Sequence, residues 1–336
     1  MASIQIVRPR ISVVIPNWNG AARLKRVLEC LDLQTERACE VLVVDNASSD
    51  ASNQFAKAHP AVTWIPLDRN YGFARAVNTG IARSTGDGVA ILNNDVTFGP
   101  DFLSRLAGAV ENHHFVAPKI VMASGSARLD GTFDLTNRGF CSWRAGHGSP
   151  ADAPMWNEPR VIASAPMTAG LFRRSLFDRT GLLDEQFGSY LEDVDFGLRC
   201  ALLGLNGYYE PAAVAVHEGS ATLGGEWNHA SVRWIARNQA VLARKYGVGL
   251  NWPVFAGQIL WGLSALKRGA GRAWIQGKIE GCRIEVTPAA PAFENENADL
   301  NQILRLQEHE IRDLLQQSGA HERYWRAYSA LTGGAQ

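Results

Sequence analysis

Four short apolar runs punctuate the first 120 residues: ISVVI (11–15), EVLVV (40–44), VTWI (62–65) and VAIL (89–92). They are β-branched and continuous rather than alternating, as strands buried on both faces of a parallel sheet are. Between them the pattern is helical near 21–33, 50–59 and 72–84, and Ser48, Ser49 and Asp50 are cap candidates for the second of these helices. Strand–helix alternation predicts an open, doubly wound α/β sheet with ligands at the carboxyl ends of its strands. Polar residues stand at those ends: Asn17 and Asn19 after the first strand, Asp45 and Asn46 after the second, Asn93, Asn94 and Asp95 after the fourth. One crevice would collect them.

Beyond residue 120 the periodicity weakens, and 122–165 reads as loops and short strands. A helix is expected from about 171, then a turn at TGLLDEQFG, a helix near 191–203 and a strand over YYEPAAVAVH (208–217). Residues 226–282 read as largely helical. Asn297, Ala298 and Asp299 can start a last helix carrying Leu300, Leu304, Gln307, Ile311 and Leu314, whose 4-3-4-3 spacing is a short coiled-coil-like seam. Packing back on the domain and homodimerisation both fit that seam, and homodimerisation is the preferred expectation. The chain divides into a domain over 1–250 and a helical extension over 251–336.

Composition works by exclusion. Thirty-three basic and 33 acidic residues cancel, so no global field favours nucleic acid or an anionic membrane, though local patches remain open. Five scattered cysteines show no CxxC pair and read as reduced thiols. MASIQIVRPR holds no apolar run of signal length, and no window approaches the roughly 18 apolar residues of a membrane span, so a cytoplasmic location is expected. The stretch 251–278 qualifies this. It combines Trp252, Trp261 and Trp274 with Lys267, Arg268, Arg272 and Lys278. Such a segment either lies on a membrane interface, here the inner face of the cell membrane, or packs as helix against the domain.

Asp95 is a candidate hard-oxygen ligand for Mg²⁺ or Mn²⁺, ions that take only one or two protein carboxylates when diphosphate oxygens complete the shell. A plain turn would also place Asn and Asp there. Asn93 and Asn94 are suited to ribose or sugar hydroxyls. In LEDVD, Asp195 with Arg199 makes an i,i+4 pair, a structural role. Adjacent Glu192 and Asp193 repel, and a raised pKa on one suits a general base. Asp193 is chosen for that role and Glu192 for acceptor binding. His217 is suited to join Asp95 on Mn²⁺. In RNYGFARAVNTG (69–80), Gly72 would let backbone approach a ligand and Arg75 would contact phosphate. The chain has neither GxGxxG nor GxxxxGK[ST].

In order, VVIPNWNG, VLVVDNASSD, NYGFARAVNTG, ILNNDV, GLLDEQFGSYLEDVDFGLR and VAVH resemble the inverting family 2 glycosyltransferases of the GT-A fold, over about residues 10–250. The resemblance is greatest to bacterial rhamnosyltransferase-like members that build cell-surface polysaccharide. It implies a nucleotide-sugar half over about 10–120 and an acceptor half over 121–250. Asn93-Asn94-Asp95 takes the place of the family's DxD motif, with Asp95 binding metal and an asparagine where the first aspartate stands. His217 matches a histidine that approaches metal or diphosphate, and Asp193 matches the base. Pro16, Asn17, Asn19, Asp45 and Asn46 fall on nucleotide-binding positions, Asp45 against the base or ribose, with Arg75 on the same rim. The implied donor is TDP-rhamnose first and a UDP sugar second, and the acceptor a glycan or lipid-linked hydroxyl. A pyrophosphorylase would need a glycine-rich basic loop where PNWNGAARLKR has one glycine. A silent sugar-nucleotide-binding module is the alternative from another class.

Overall fold

A computed structural model describes residues 8–125, 127–219, 227–289, 299–320 and 322–333; Asn297 and Ala298 lie outside the described residues. The first part alternates as expected: β1 (Ile11–Asn17), α1 (Ala21–Asp32), β2 (Glu40–Asp45), α2 (Ser52–Ala58), β3 (Val62–Pro66), α3 (Phe73–Arg83) and β4 (Gly88–Leu92). Then come β5 (Val96–Phe98), α4 (Phe102–Val110), β6 (Phe115–Met122) and the short strands β7 (Leu129–Gly131), β8 (Asp134–Thr136), β9 (Ser142–Arg144) and β10 (Arg160–Ile162). They lead to β11 (Ala169–Arg173), α5 (Arg174–Thr180), α6 (Glu192–Leu202) and β12 (Gly207–His217). The helices α7 (His229–Lys245), α8 (Trp252–Lys267), α9 (Gly271–Arg283), α10 (Leu300–Ser318) and α11 (Arg323–Leu331) follow.

The main sheet runs β10-β12-β6-β11-β4-β1-β2-β3, with β5 added on β12 and β7 on β6; β8 and β9 form a separate hairpin. Pairing is parallel except around β10, β11, β5 and β7. Both faces are covered, which explains the unbroken apolar runs. Val13 and Ile15 of β1 pack with Leu24, Val27 and Leu28 of α1 and with Phe102 and Leu106 of α4. Val14, pointing the other way, packs with Ala74, Val77 and Ile81 of α3. Burying each such branched side chain stabilises the fold by about 1.5–3 kcal/mol.

Several expectations need correction. The segment from 171 begins as strand, because β11 is wedged antiparallel between β4 and β6; the helix starts at Arg174. Asp50, rather than Ser48 or Ser49, serves α2, accepting from the backbone N–H of Ser52 at 3.0 Å. The α10 seam is not a free surface: Leu304, Gln307, Ile311 and Leu314 are buried, and Gln307 Oε1 accepts from Thr136 N–H at 2.7 Å. It packs back on its own chain, so it provides no seam for a dimer, and α11 follows it. Within 251–278, Trp261 stacks on Trp227 with ring centroids 5.3 Å apart. Lys278 turns inward and donates to Gln239 and Gln258 at 2.9 and 2.7 Å. Only Trp252, Lys267, Arg268 and Arg272 of the singled-out residues are exposed.

Candidate active site

A cleft of about 2030 Å³ opens at the carboxyl ends of β1 and β4 and is lined by Pro16, Asn17, Asn46, Asn93, Asn94, Asp95, Glu192, Asp193 and His217. Sheet register brings its most distant members together. β5, directly after Asn93-Asn94-Asp95, pairs antiparallel with the end of β12, setting Val96 opposite His217. Glu218 N–H then donates to the Asp95 carbonyl at 3.1 Å. The two side chains meet, with His217 Nε2 3.3 Å from Asp95 Oδ1. On the far side of the ring, Asp130 Oδ2 lies 3.1 Å from Nδ1, delivered by the pairing of β7 with β6. β11 sets Thr168 beside the loop, where its carbonyl accepts from Asn93 N–H at 2.9 Å.

The acidic pair is placed differently. Tyr190 and Leu191 adopt φ of 70° and 67°, the left-handed region that is unfavourable for such side chains. This kink starts α6 with Glu192 and Asp193 facing the cleft. Val194 N–H donates to Asp193 Oδ1 at 2.8 Å. Asp195 lies behind, fully buried, 3.0 Å from Arg199 and 2.8 Å from Lys245, the structural role expected of it.

Sequence reasoning missed Asp130, Asp134 and Arg144, all lining the cleft. Arg144 lies 3.3 Å from Asp130 and 3.4 Å from Asp134. Burial alone would raise the Asp130 carboxyl, but His217 and Arg144 hold it well below the usual carboxylate range. Asp134 goes the other way: burial, opposed by Arg144 and reinforced by Asp193, pushes it up to about 6. Burial would lower His217, but Asp130 and Asp95 raise it to about 9. Glu192 is raised well above its ordinary value by burial and by Asp193. Asp193 is raised by burial, against the pull of Arg144 and backbone hydrogen bonds. Of the two, Asp193 ionises first: Arg144 and several backbone N–H groups, Val194 among them, favour its charged form, whereas Glu192 has one backbone bond and its Oε2 has no hydrogen bond.

Three expected nucleotide contacts are absent from the cleft lining. Asp45 has both oxygens occupied, accepting from Asn17 Nδ2 at 2.8 Å and from Ser48 N–H and Oγ at 2.8 and 2.5 Å. Asn19 accepts from Ser49 N–H at 2.9 Å, and Arg75 pairs with Glu185 at 2.8 Å. Gly72 lines the cleft and also lies against backbone, since a Cβ there would lie 2.7 Å from the Gly188 carbonyl oxygen. Asn17 and Asn94 do line the cleft but bond each other at 2.8 Å, while Asn46 holds the loop at Tyr71 and Gly72.

Asn93 Oδ1, Asp134 Oδ2 and Glu192 Oε2 are buried with no hydrogen bond, and Asp95 Oδ1 has only its ion-pair contact with His217. Buried acceptors are rarely left so unless something else binds them. Among the described residues no group of three or more His, Cys, Asp or Glu could hold a metal ion alone. Asp95 with His217 nevertheless fits Mg²⁺ or Mn²⁺ if diphosphate oxygens fill the remaining positions.

The family model described as Glycosyl transferase family 2 matches residues 12–180, half of the chain. The protein belongs to glycosyl transferase family 2. This family 2 chain is 28% identical over 247 residues to an N-acetylglucosaminyl-diphospho-decaprenol L-rhamnosyltransferase of Mycobacterium tuberculosis, covering 64% of this chain and 78% of the relative. Among solved structures it is similar to the mannosyltransferase PcManGT from Pyrobaculum calidifontis in complex with GDP-Man and Mn²⁺. There the TM-score is 0.52 at 20% identity, over 97% of this chain and 87% of that one. It is also similar to GalNAc-T7 with UDP, GalNAc and Mn²⁺, with a TM-score of 0.59 at 13% identity over 98% and 57%. The family 2 protein is therefore a glycosyltransferase with the GT-A fold expected of it.

Proposed function

We propose that this glycosyltransferase inverts the anomeric centre as it moves a sugar from a nucleoside diphosphate to a hydroxyl of a glycan or lipid-linked acceptor. TDP-rhamnose is the first donor to test, a choice supported by the L-rhamnosyltransferase relative, and a UDP sugar is the second. The observation that carries the reading is the shared cleft of Asp193 and the Asp95–His217 pair.

Asp193 takes the proton of the acceptor hydroxyl. The freed oxygen pair forms the new bond to the anomeric carbon, and the bond to the diphosphate breaks with its electrons leaving on the diphosphate oxygen. Position in the first turn of α6 favours the ionised form of Asp193. Glu192, holding its proton, offers a hydrogen bond to the acceptor. Asp95 and His217 are the residues that would hold Mg²⁺ or Mn²⁺, which when bound offsets the charge growing on the leaving diphosphate. Asp130 fixes the His217 ring through Nδ1, so that Nε2 faces Asp95.

The test is nucleoside diphosphate release by the purified chain from TDP and UDP sugars, with and without Mn²⁺ or Mg²⁺, scored beside donor binding. Metal-dependent release from one donor is expected. Failure to bind any donor would end the proposal.

A further inference from the structure

The side of α8 turned away from the core carries an unbroken apolar row. Trp252, Phe255, Ile259, Leu263 and Leu266 are between 36% and 64% exposed. At 100° per residue they fall within an arc of about 80° and extend over about 21 Å. Ile275 and Ile279 of the neighbouring α9 are also exposed. The two helices are closely packed, since a Cβ at Gly262 would lie 2.4 Å from the Trp274 ring. Scattered exposed apolar residues are ordinary, but a contiguous row is not. The Trp252 indole N–H donates to the Leu331 carbonyl at 2.7 Å, so its polar atom is satisfied while its ring faces outward.

Charge narrows the choice of what covers the row. The segment WPVFAGQILWGLSALK contains no carboxylate. Lys267 and Arg268 at its end and Arg272 in the first turn of α9 are exposed, and no carboxylate among the described residues pairs with them. Arg268 lies over the Trp227 ring, 4.3 Å from its centroid. A second copy laid on this face would bring another carboxylate-free helix and more cations. An anionic lipid surface supplies both the missing counter-charge and a medium for the row. At 16 residues α8 is about 24 Å long, shorter than a bilayer core, and among the described residues no helix is long and apolar enough to cross one. It is suited to lie in the plane.

The row also borders the cleft. Leu263 belongs to both, and Leu260, Ser264, Lys267 and Arg268 beside it line the cleft. We propose that α8 seats the protein on an anionic bilayer surface with the mouth of the cleft at the headgroups, so that a lipid-linked acceptor is presented directly. The acceptor clause rests on the transferase reading above; the seating does not, and it is measured without sugar or turnover.

The experiment is flotation of the full chain with phosphatidylcholine vesicles, with and without about 30% phosphatidylglycerol. The protein is expected to float with the anionic vesicles, and high salt is expected to weaken that binding. Phe255→Ser with Ile259→Ser, both outside the cleft, should cut the bound fraction roughly tenfold with unchanged melting and unchanged donor turnover in the absence of vesicles. Arg272→Gln should weaken binding to the anionic vesicles only. Equal flotation of the wild type and the double variant would overturn the proposal, as would no flotation with either vesicle. A wild-type dimer that the double variant dissolves, without flotation, would assign the face to a second copy and overturn it equally.

Discussion

The cleft has two carboxylate regions built in contrasting ways. On one side Asp95, His217 and Asp130 stand at strand ends and are held by one another. On the other, Glu192 and Asp193 open a helix after a strained kink, with few donors in reach. Asp130 and Asp134 make the contrast sharpest, since both sit beside Arg144. Asp130, which also has His217, is pulled below the usual range, while Asp134, which faces Asp193, is pushed up to about 6. Burial raises both carboxyls; His217 and Arg144 together overcome it at Asp130, while at Asp134 burial prevails over Arg144 and Asp193 adds to it. The strand side is thereby suited to a cation and the helix side to proton transfer.

The largest effect is expected from Asp193→Asn. Transfer should fall by about 10²–10⁴-fold with donor affinity unchanged, measured by turnover and donor titration. Full transfer in that variant would remove the base from the helix side. Next comes Asp130→Asn, which frees the His217 ring. Mn²⁺ affinity in the presence of nucleoside diphosphate should drop about 10–100-fold, read by the loss of the free-ion resonance on titration; unchanged affinity would mean that His217 needs no support.

Arg144→Gln probes the link between the two sides. Asp193 must be ionised to act, and its raised pKa means that the rate rises with pH through a limb displaced above the ordinary carboxylate range. Arg144 pulls that pKa down, so removing it should move the limb of kcat/KM higher still. A limb that stays put would detach Arg144 from the base. The smallest effect on chemistry is expected at Asp45. Its replacement by Ala should cost about 1–3 kcal/mol of stability, read by thermal melting, with little change in donor KM. A raised KM at constant melting temperature would return Asp45 to the nucleotide.

Strands β1, β2 and β4 were legible because burial on both faces leaves an unbroken apolar run, while β3, at the sheet edge with only Ile65 buried, was legible from its β-branched and aromatic residues alone. β6 was not, since Pro118 and the buried Lys119 interrupt FVAPKIVM. Lys119 is accommodated by the Ala151 carbonyl at 3.3 Å and by Asn157, partners far along the chain. β11 reads locally as the start of a helix and is strand only because β4 and β6 enclose it. Asp95, Asp193 and His217 could be singled out because each ends or begins a readable element. Asp130, Asp134 and Arg144 sit on three-residue strands, too short for any period, whose placement is set by long-range pairing. Asp45 ends a readable strand too, but that its two oxygens accept from Asn17 and Ser48 is visible only in the structure.

The antiparallel contact of β5 with β12 has a consequence for how the protein comes into being. β12 enters an interior position, between β10 and β6, yet it is the last strand of the sheet to leave the ribosome. Until it inserts, Asp95 faces no histidine, however well β1 to β4 have formed. Such non-local closure is slow relative to local helix formation. With Asp95 and His217 holding the metal as proposed, Mn²⁺ binding during refolding is expected to lag behind the helical signal and to be missing from a chain that stops short of His217.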